Sequence, residues 1–228
     1  MAISFTWGQY PKSVILSAVF FYLRYPISYR DLEEIMAERG VEVGHLTLNR
    51  WIVRYAPLLA NQAQARKRTT AKSWRAGETY IKVRGQWAYL YRAVDRDGQT
   101  LDLMLSERRN LPAARRFFKK VRDSNGGPDR VVIDKSGANL AGLQAINVIL
   151  KFTSQGTQIN IRQVKYLNNI LEQDHRFTKP IIKPMIGFKA FHSAEATLAG
   201  IKVAHMIRKG QIANRNRCPF QVFAEIAG

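Results

Sequence analysis

Two carboxylates in this 228-residue chain stand in segments that could bring them to one divalent metal site. Asp134 closes the apolar run Val131-Val-Ile-Asp134, which has the pattern of a short buried strand. An unpaired carboxylate at such a strand end is costly unless it meets a cation. Glu172 comes 38 positions later, in a polar segment of helical length from Tyr166 to Lys179. Lys179 follows Glu172 by seven, two turns along the same helix face. Clustered Asp and Glu oxygens suit Mg²⁺, which keeps several waters, with Mn²⁺ as a substitute. Two such ions roughly 3.5–4 Å apart support an in-line displacement at phosphorus. Taken singly, Asp134 also reads as a helix cap, because Ser136 and Gly137 follow, and Glu172 as an exposed helix residue. The pairing, the spacing and Lys179 favour the metal reading.

The elements that must position these acids follow from periodicity. Trp74 to Val83 alternates as a strand, Gln86 to Val94 is rich in Trp, Tyr, Leu and Val, and Gln99 to Leu105 is a third strand beyond the turn Asp95-Arg-Asp97-Gly98. Leu111 to Arg122 reads as a basic helix and Val131 to Asp134 as a strand. Asn139 to Leu150 reads as a helix, Ile159 to Val164 as a strand and Asn168 to Lys179 as a helix. Pro180 disfavours helix at Lys179. The order β-β-β-α-β-α-β-α predicts an α/β ribonuclease H-like core, a mixed five-stranded sheet with flanking helices, preceded by an all-α module. Ser193 to Lys209 has helical spacing and reads as packing or dimer surface, with His205 a core residue.

The first sixty residues predict that all-α module. Ser13 to Tyr25 is apolar nearly all round and stops at Pro26. Ser28 and Asp31 make a helix-start signal, and Gly40 stands where a C-terminal cap would be. Leu48, Trp51, Ile52 and Tyr55 then repeat with helical spacing up to Pro57, which reads as the helix end. Two short helices around a Gly-containing turn predict a helix-turn-helix, with a plain helical hairpin as the alternative. The second helix of such a motif enters the major groove, which leaves His45, Thr47, Asn49, Arg50 and Arg54 as candidate DNA contacts. Asn and Arg make bidentate contacts to adenine and guanine edges. Arg66, Lys67 and Arg68 form a basic cluster able to track phosphates. The expected divisions are 1–58 for the helix-turn-helix, 59–73 for a basic linker, 74–212 for the catalytic domain and 213–228 for a tail.

Net charge is +19, from 36 basic and 17 acidic side chains, which favours a polyanion partner. The single cysteine, Cys218, allows no internal disulfide and fits a reducing cytosol. The apolar run Val14 to Leu23 is too short to span a membrane. The expected location is the bacterial cytoplasm, at the nucleoid.

Five segments carry a resemblance. They are Leu-Arg-Tyr-Pro-Ile-Ser-Tyr-Arg-Asp-Leu-Glu-Glu (23–34), Glu-Thr-Tyr-Ile-Lys-Val (78–83), Ile-Asp-Lys-Ser-Gly-Ala-Asn (133–139), Lys-Tyr-Leu-Asn-Asn-Ile-Leu-Glu-Gln-Asp-His-Arg (165–176) and Gly-Phe-Lys-Ala-Phe (187–191). The chain resembles the small DDE transposases of bacterial insertion sequences, in particular insertion-sequence family six. The resemblance implies a helix-turn-helix that binds terminal inverted repeats. It implies a ribonuclease H-like core that cleaves and joins double-stranded DNA with Mg²⁺, inserts into target DNA by replicative transposition through cointegrates, and works as a homodimer or higher oligomer. The second family Asp falls on Asp134, the Glu on Glu172 and the following basic residue on Lys179. The first Asp falls on Gly77. Glu78 is adjacent but points to the other face of a strand, and Asp95 and Asp97 lie in a turn. Gly44 stands where the family has Asp in the helix-turn-helix turn. Activity is therefore expected to be impaired. The alternative is a catalytically dead DNA-binding protein that occupies transposon ends and represses transposition. A different ribonuclease H-like nuclease is a third reading, disfavoured by the helix-turn-helix and the basic linker.

Overall fold

The computed structural model describes residues 3–5, 9–153, 157–164, 169–185, 188–212 and 217–228, without the side chains of residues 169, 170, 172 and 175. The quoted stretch 165–168 and Gly187 therefore lie outside the described residues. The chain divides into two compact units, Met1–Arg68 with Phe177–Gly228, and Thr69–Arg176.

In the second unit, β1 (Ser73–Val83), β2 (Gln86–Asp95), β3 (Thr100–Ser106), β4 (Arg130–Ile133) and β5 (Asn160–Gln163) form one sheet in the order β3-β2-β1-β4-β5. The first three strands pair antiparallel, and β4 and β5 join parallel to β1. This is the ribonuclease H-like arrangement read from the sequence. Arg84 and Gly85, both at positive φ, turn β1 into β2 with the twist that tight hairpins prefer. At the next turn the Asp95 carboxylate accepts from the amides of Asp97 (3.0 Å) and Gln99 (2.8 Å), and from Ala71 (2.9 Å). That occupation makes Asp95 a turn residue.

Helices α4 (Leu111–Asn125) and α5 (Gly137–Thr153) bury one face of this sheet. Trp74, Ala76, Tyr91, Ala93, Val131 and Ile133 pack there with Phe117, Phe118, Leu143 and Ile146. Asn110 caps α4 by accepting from the Ala113 amide at 3.0 Å. The opposite face receives α6 (Asn169–Ile182), through Arg92 of β2.

In the first unit, α1 (Lys12–Arg24), α2 (Tyr29–Ala37), α3 (His45–Arg66), α7 (Phe191–Arg208) and α8 (Pro219–Ile226) share one core. Ser28 and Asp31 form the anticipated capping box. Pro57 does not end its helix: α3 runs on to Arg66, with Leu59, Ala60 and Ala63 buried beyond the proline. The same holds at Pro180, since α6 continues to Ile182 and Lys179 is helical. The segment read as a tail carries α8, whose Val222, Phe223 and Ile226 are buried. The backbone of the expected linker is also pinned: the Arg68 amide donates to Gln211 O at 2.9 Å, and Lys67 bridges to Ile212.

Candidate functional site

The parallel pairing of β1 and β4 decides which residues can meet. Ala76 pairs with Ile133, so the next position on each strand is Gly77 on β1 and Asp134 at the end of β4. Across the hairpin Gly77 pairs with Arg92, whose guanidinium reaches Asp174 on α6. Gly77 therefore belongs to the sheet face from which Arg92 reaches Asp174 of α6. Glu172 lies on α6, two residues before Asp174; its side chain is outside the described residues. Lys179 lies further along α6 and is exposed.

Glu78 faces the other way, as a strand requires. It pairs with Tyr91, a member of the α4/α5 core. Its side chain is only 3 % exposed and forms an ion pair with Arg109 Nη2 at 2.6 Å. It also accepts from Ser136 Oγ at 2.8 Å and from Asn139 Nδ2. Ser136 caps α5 through the Asn139 amide. Its own amide donates to the Asp134 carboxylate. One serine thus joins the two acids.

Asp134 has the properties of an unsatisfied ligand. Its Oδ1 is buried and has no hydrogen-bond partner among the described residues. Partial burial, and next the charge of Glu78, push its pKa above the ordinary carboxylate value; the Ser136 amide and Arg109 pull it back. A divalent cation would relieve both effects. The donor chemistry therefore fits a hard metal such as Mg²⁺, but the set is short: among the described residues no three His, Cys, Asp or Glu gather. Asp97 does not complete it, since it is exposed beside Arg96 at 3.6 Å.

The helix-turn-helix candidates separate by exposure. Arg50 and Arg54 are exposed, while Thr47 and Asn49 are half-buried. His45, Leu46 and Asn49 border a cavity with Tyr29, Phe188 and Ser193. Gly44, the N-cap of α3, offers no side chain, and Glu33 of α2 takes its place. Glu33 Oε2 accepts from the His45 amide at 3.1 Å and meets His45 Nδ1 at 3.0 Å. Arg66 donates to Glu225 O. The spacing of single residues did not reveal Glu33, Arg92, Arg109, Ser136 or Asn139, because each acts through a partner distant in sequence.

A mixed five-stranded sheet in the ribonuclease H-like order, with Asp134 just past the end of β4, defines the fold class of the polynucleotidyl transferases. The family match and the relatives in sequence agree with that class. A family model described as a DDE domain, of the IS240 transposase group, matches residues 71–211. The chain is 36% identical over 219 residues to the transposase of the insertion sequence-like element IS431mec from Staphylococcus aureus, covering 96% of this chain and 92% of that one. The transposase of IS257 in transposon Tn4003, also from Staphylococcus aureus, is similar to the same extent. Among solved structures, a simian T-cell lymphotropic virus intasome is similar with 10% identity, TM-score 0.45, and coverage of 69% of this chain and 56% of that one. The HTLV-2 integrase catalytic core with magnesium gives 13% identity, TM-score 0.38, and coverage of 71% and 86%. The chain belongs to the DDE transposases of bacterial insertion sequences, insertion-sequence family six. Among the described residues no helix is long and apolar enough to cross a membrane.

Proposed function

We propose that the chain is a transposase that binds the terminal inverted repeats of its element through α2 and α3, and whose strand cleavage and joining are impaired by Gly77. Asp134 and Glu172 would hold Mg²⁺, or Mn²⁺ in its place, and Lys179 would contact the DNA. The metal, when bound, supplies Lewis-acid charge to the reacting phosphate. The chain's own contribution is the setting. Asp134 presents one free oxygen, Ser136 fixes the other by its amide, and Arg92 with Asp174 holds the Glu172 helix on the sheet. Arg50 and Arg54 would read or track duplex DNA from the exposed side of α3, with Arg66, Lys67 and Arg68 near its end. The protein would act as a homodimer or higher oligomer and transpose replicatively, in the cytoplasm at the nucleoid.

The observation that carries this reading is the placement of Gly77 opposite Asp134, one position beyond the last β1–β4 pair, on the face from which Arg92 reaches α6. The same observation favours the second reading, a DNA-binding protein that occupies element ends and represses. One experiment separates them: cleavage and joining of a labelled element-end duplex in Mg²⁺ by this chain and by Gly77→Asp. Activity in the variant alone supports the impaired transposase. Equal activity in both rejects Gly77 as the lesion. End binding with no reaction by either supports the repressor.

A further inference from the structure

Arg109 lies in the loop between β3 and α4, outside every motif that suggested the metal site. Its guanidinium is held by Glu78 at 2.6 Å, yet 37% of its side chain remains exposed. The acid that holds it is almost fully enclosed and is itself fixed, by Ser136 Oγ donating to the same oxygen Oε1 and by Asn139 donating to Oε2. A guanidinium carries five N–H donors in a rigid fork, and one carboxylate engages two at most. The remaining edge is thus aimed by an anchor that cannot swing. The site is close by: Ser136 links Glu78 to Asp134, and Arg109 lies near enough for its charge and that of Asp134 to act on each other. The loop is braced at both ends, by Ser106 Oγ donating to Arg108 O at 2.9 Å and by the Asn110 cap.

We propose that Arg109 is a phosphate-binding residue beside Asp134 and that Glu78 is its positioning residue. The ligand class is the phosphodiester backbone, and the inference rests on the DNA-binding reading above. A planar fork suits two non-bridging oxygens of one phosphate. It also places positive charge next to a carboxylate pair that would otherwise repel DNA.

The test is the salt dependence of affinity, measured by anisotropy with a labelled 30-base-pair duplex and the full chain. Loss of one phosphate contact makes the slope of log K against log salt shallower by about 0.9. Arg109→Ala is expected to show that change with a several-fold weaker affinity. Arg109→Lys is expected to keep the slope but bind several-fold less tightly, because it retains charge without the fork. Glu78→Gln is expected to behave like Arg109→Lys, since the cation remains but loses its aim. Thermal unfolding of each variant separates misfolding from lost contact, and the two Arg109 variants suffice if Glu78→Gln is unfolded. Duplex binding by Arg109→Ala with unchanged slope and affinity overturns the inference and leaves the DNA-binding reading standing. Absence of duplex binding by the unaltered chain sinks both.

Discussion

Arg92 and Asp174 form a buried ion pair that ties the middle of β2 to α6, two residues beyond Glu172. Arg92 also donates to the Asp174 backbone carbonyl at 3.0 Å, so it grips the helix by side chain and main chain together. Burial lowers the Arg92 pKa from its ordinary value, and Asp174 opposes that shift. Removing one partner leaves the other charged and enclosed, which costs about 3–5 kcal/mol. Asp174→Asn should therefore lower the melting temperature by roughly 10 °C. The double replacement Arg92→Met with Asp174→Leu should lose far less, because no charge stays behind. Calorimetric scans of the three proteins check this. A single-variant loss as small as that of the double would mean the pair is hydrated in solution.

Asp134 predicts an unusual sign. Burial, then the charge of Glu78, raise its folded pKa above the unfolded value. The folded state therefore binds the proton more tightly than the unfolded state. The resulting stabilisation is fully present below the unfolded pKa, near 3.9 for Asp, and is lost as pH rises through the folded pKa. At neutral pH the ionised group burdens the metal-free fold. Asp134→Asn should raise the melting temperature by roughly 1–3 °C at pH 7, a modest figure because the site is partly solvent-screened. The difference should close as pH falls below about 4. Melting curves across that range decide the matter; a destabilised Asn variant at neutral pH would show that Asp134 is already satisfied.

The strand order, the helix order and the acid at the end of β4 were legible because each rests on local periodicity or on a carboxylate in an apolar run. The face of Glu78 was legible too, since strand side chains alternate. The prolines misled. A proline inside a helix costs about 3 kcal/mol through a lost bond and a clash, and local reasoning stops the helix there. In α3 and α6 the tertiary core outweighs that cost, through Leu59, Ala60, Ala63 and Ile181 on the far sides. The network from Arg109 through Glu78 and Ser136 was not legible, because it joins a loop, a strand and a helix cap that come together only once β1 and β4 pair.

Glu33 acts as the missing cap of α3. Gly44 has the extended φ of −73° and ψ of 151° of an N-cap but no side chain to accept the free amides. Losing an N-cap contact costs about 1 kcal/mol. Glu33→Ala should lower the melting temperature by a few degrees and weaken element-end binding, because the start of α3 frays. Gly44→Ser in the same background should recover most of the stability, since the one atom within 4 Å of the added Cβ, Glu33 Oε1 at 3.9 Å, is gone from that variant. If serine restores nothing, the Glu33–His45 contact does not serve as a cap.

Gly142 sets how closely α4 and α5 approach beneath the sheet. A Cβ there would stand 2.7 Å from Ala114 Cβ, and 3.1 Å from Ala114 C and Arg115 N. Two of those three atoms are backbone, so the helices must separate to admit even a methyl group. Exchanging glycine for alanine inside a helix ordinarily gains about 1 kcal/mol in propensity. Overpacking a close contact costs about 1–3 kcal/mol, and here the neighbours cannot swing aside. Gly142→Ala should therefore destabilise the protein despite the better helix former, and shift the urea midpoint downward with no change in its slope. Ala114→Gly added to it should recover only part of the loss, because the two backbone contacts persist. Separating α4 from α5 would also disturb Phe117 and Leu143 of the shared core, and with them the start of α5, where Ser136 holds Asp134 and Glu78. Metal affinity in the Gly77→Asp background should consequently fall when Gly142→Ala is added. An increase in the urea midpoint for Gly142→Ala would show that the helices stand further apart than the contact distances require.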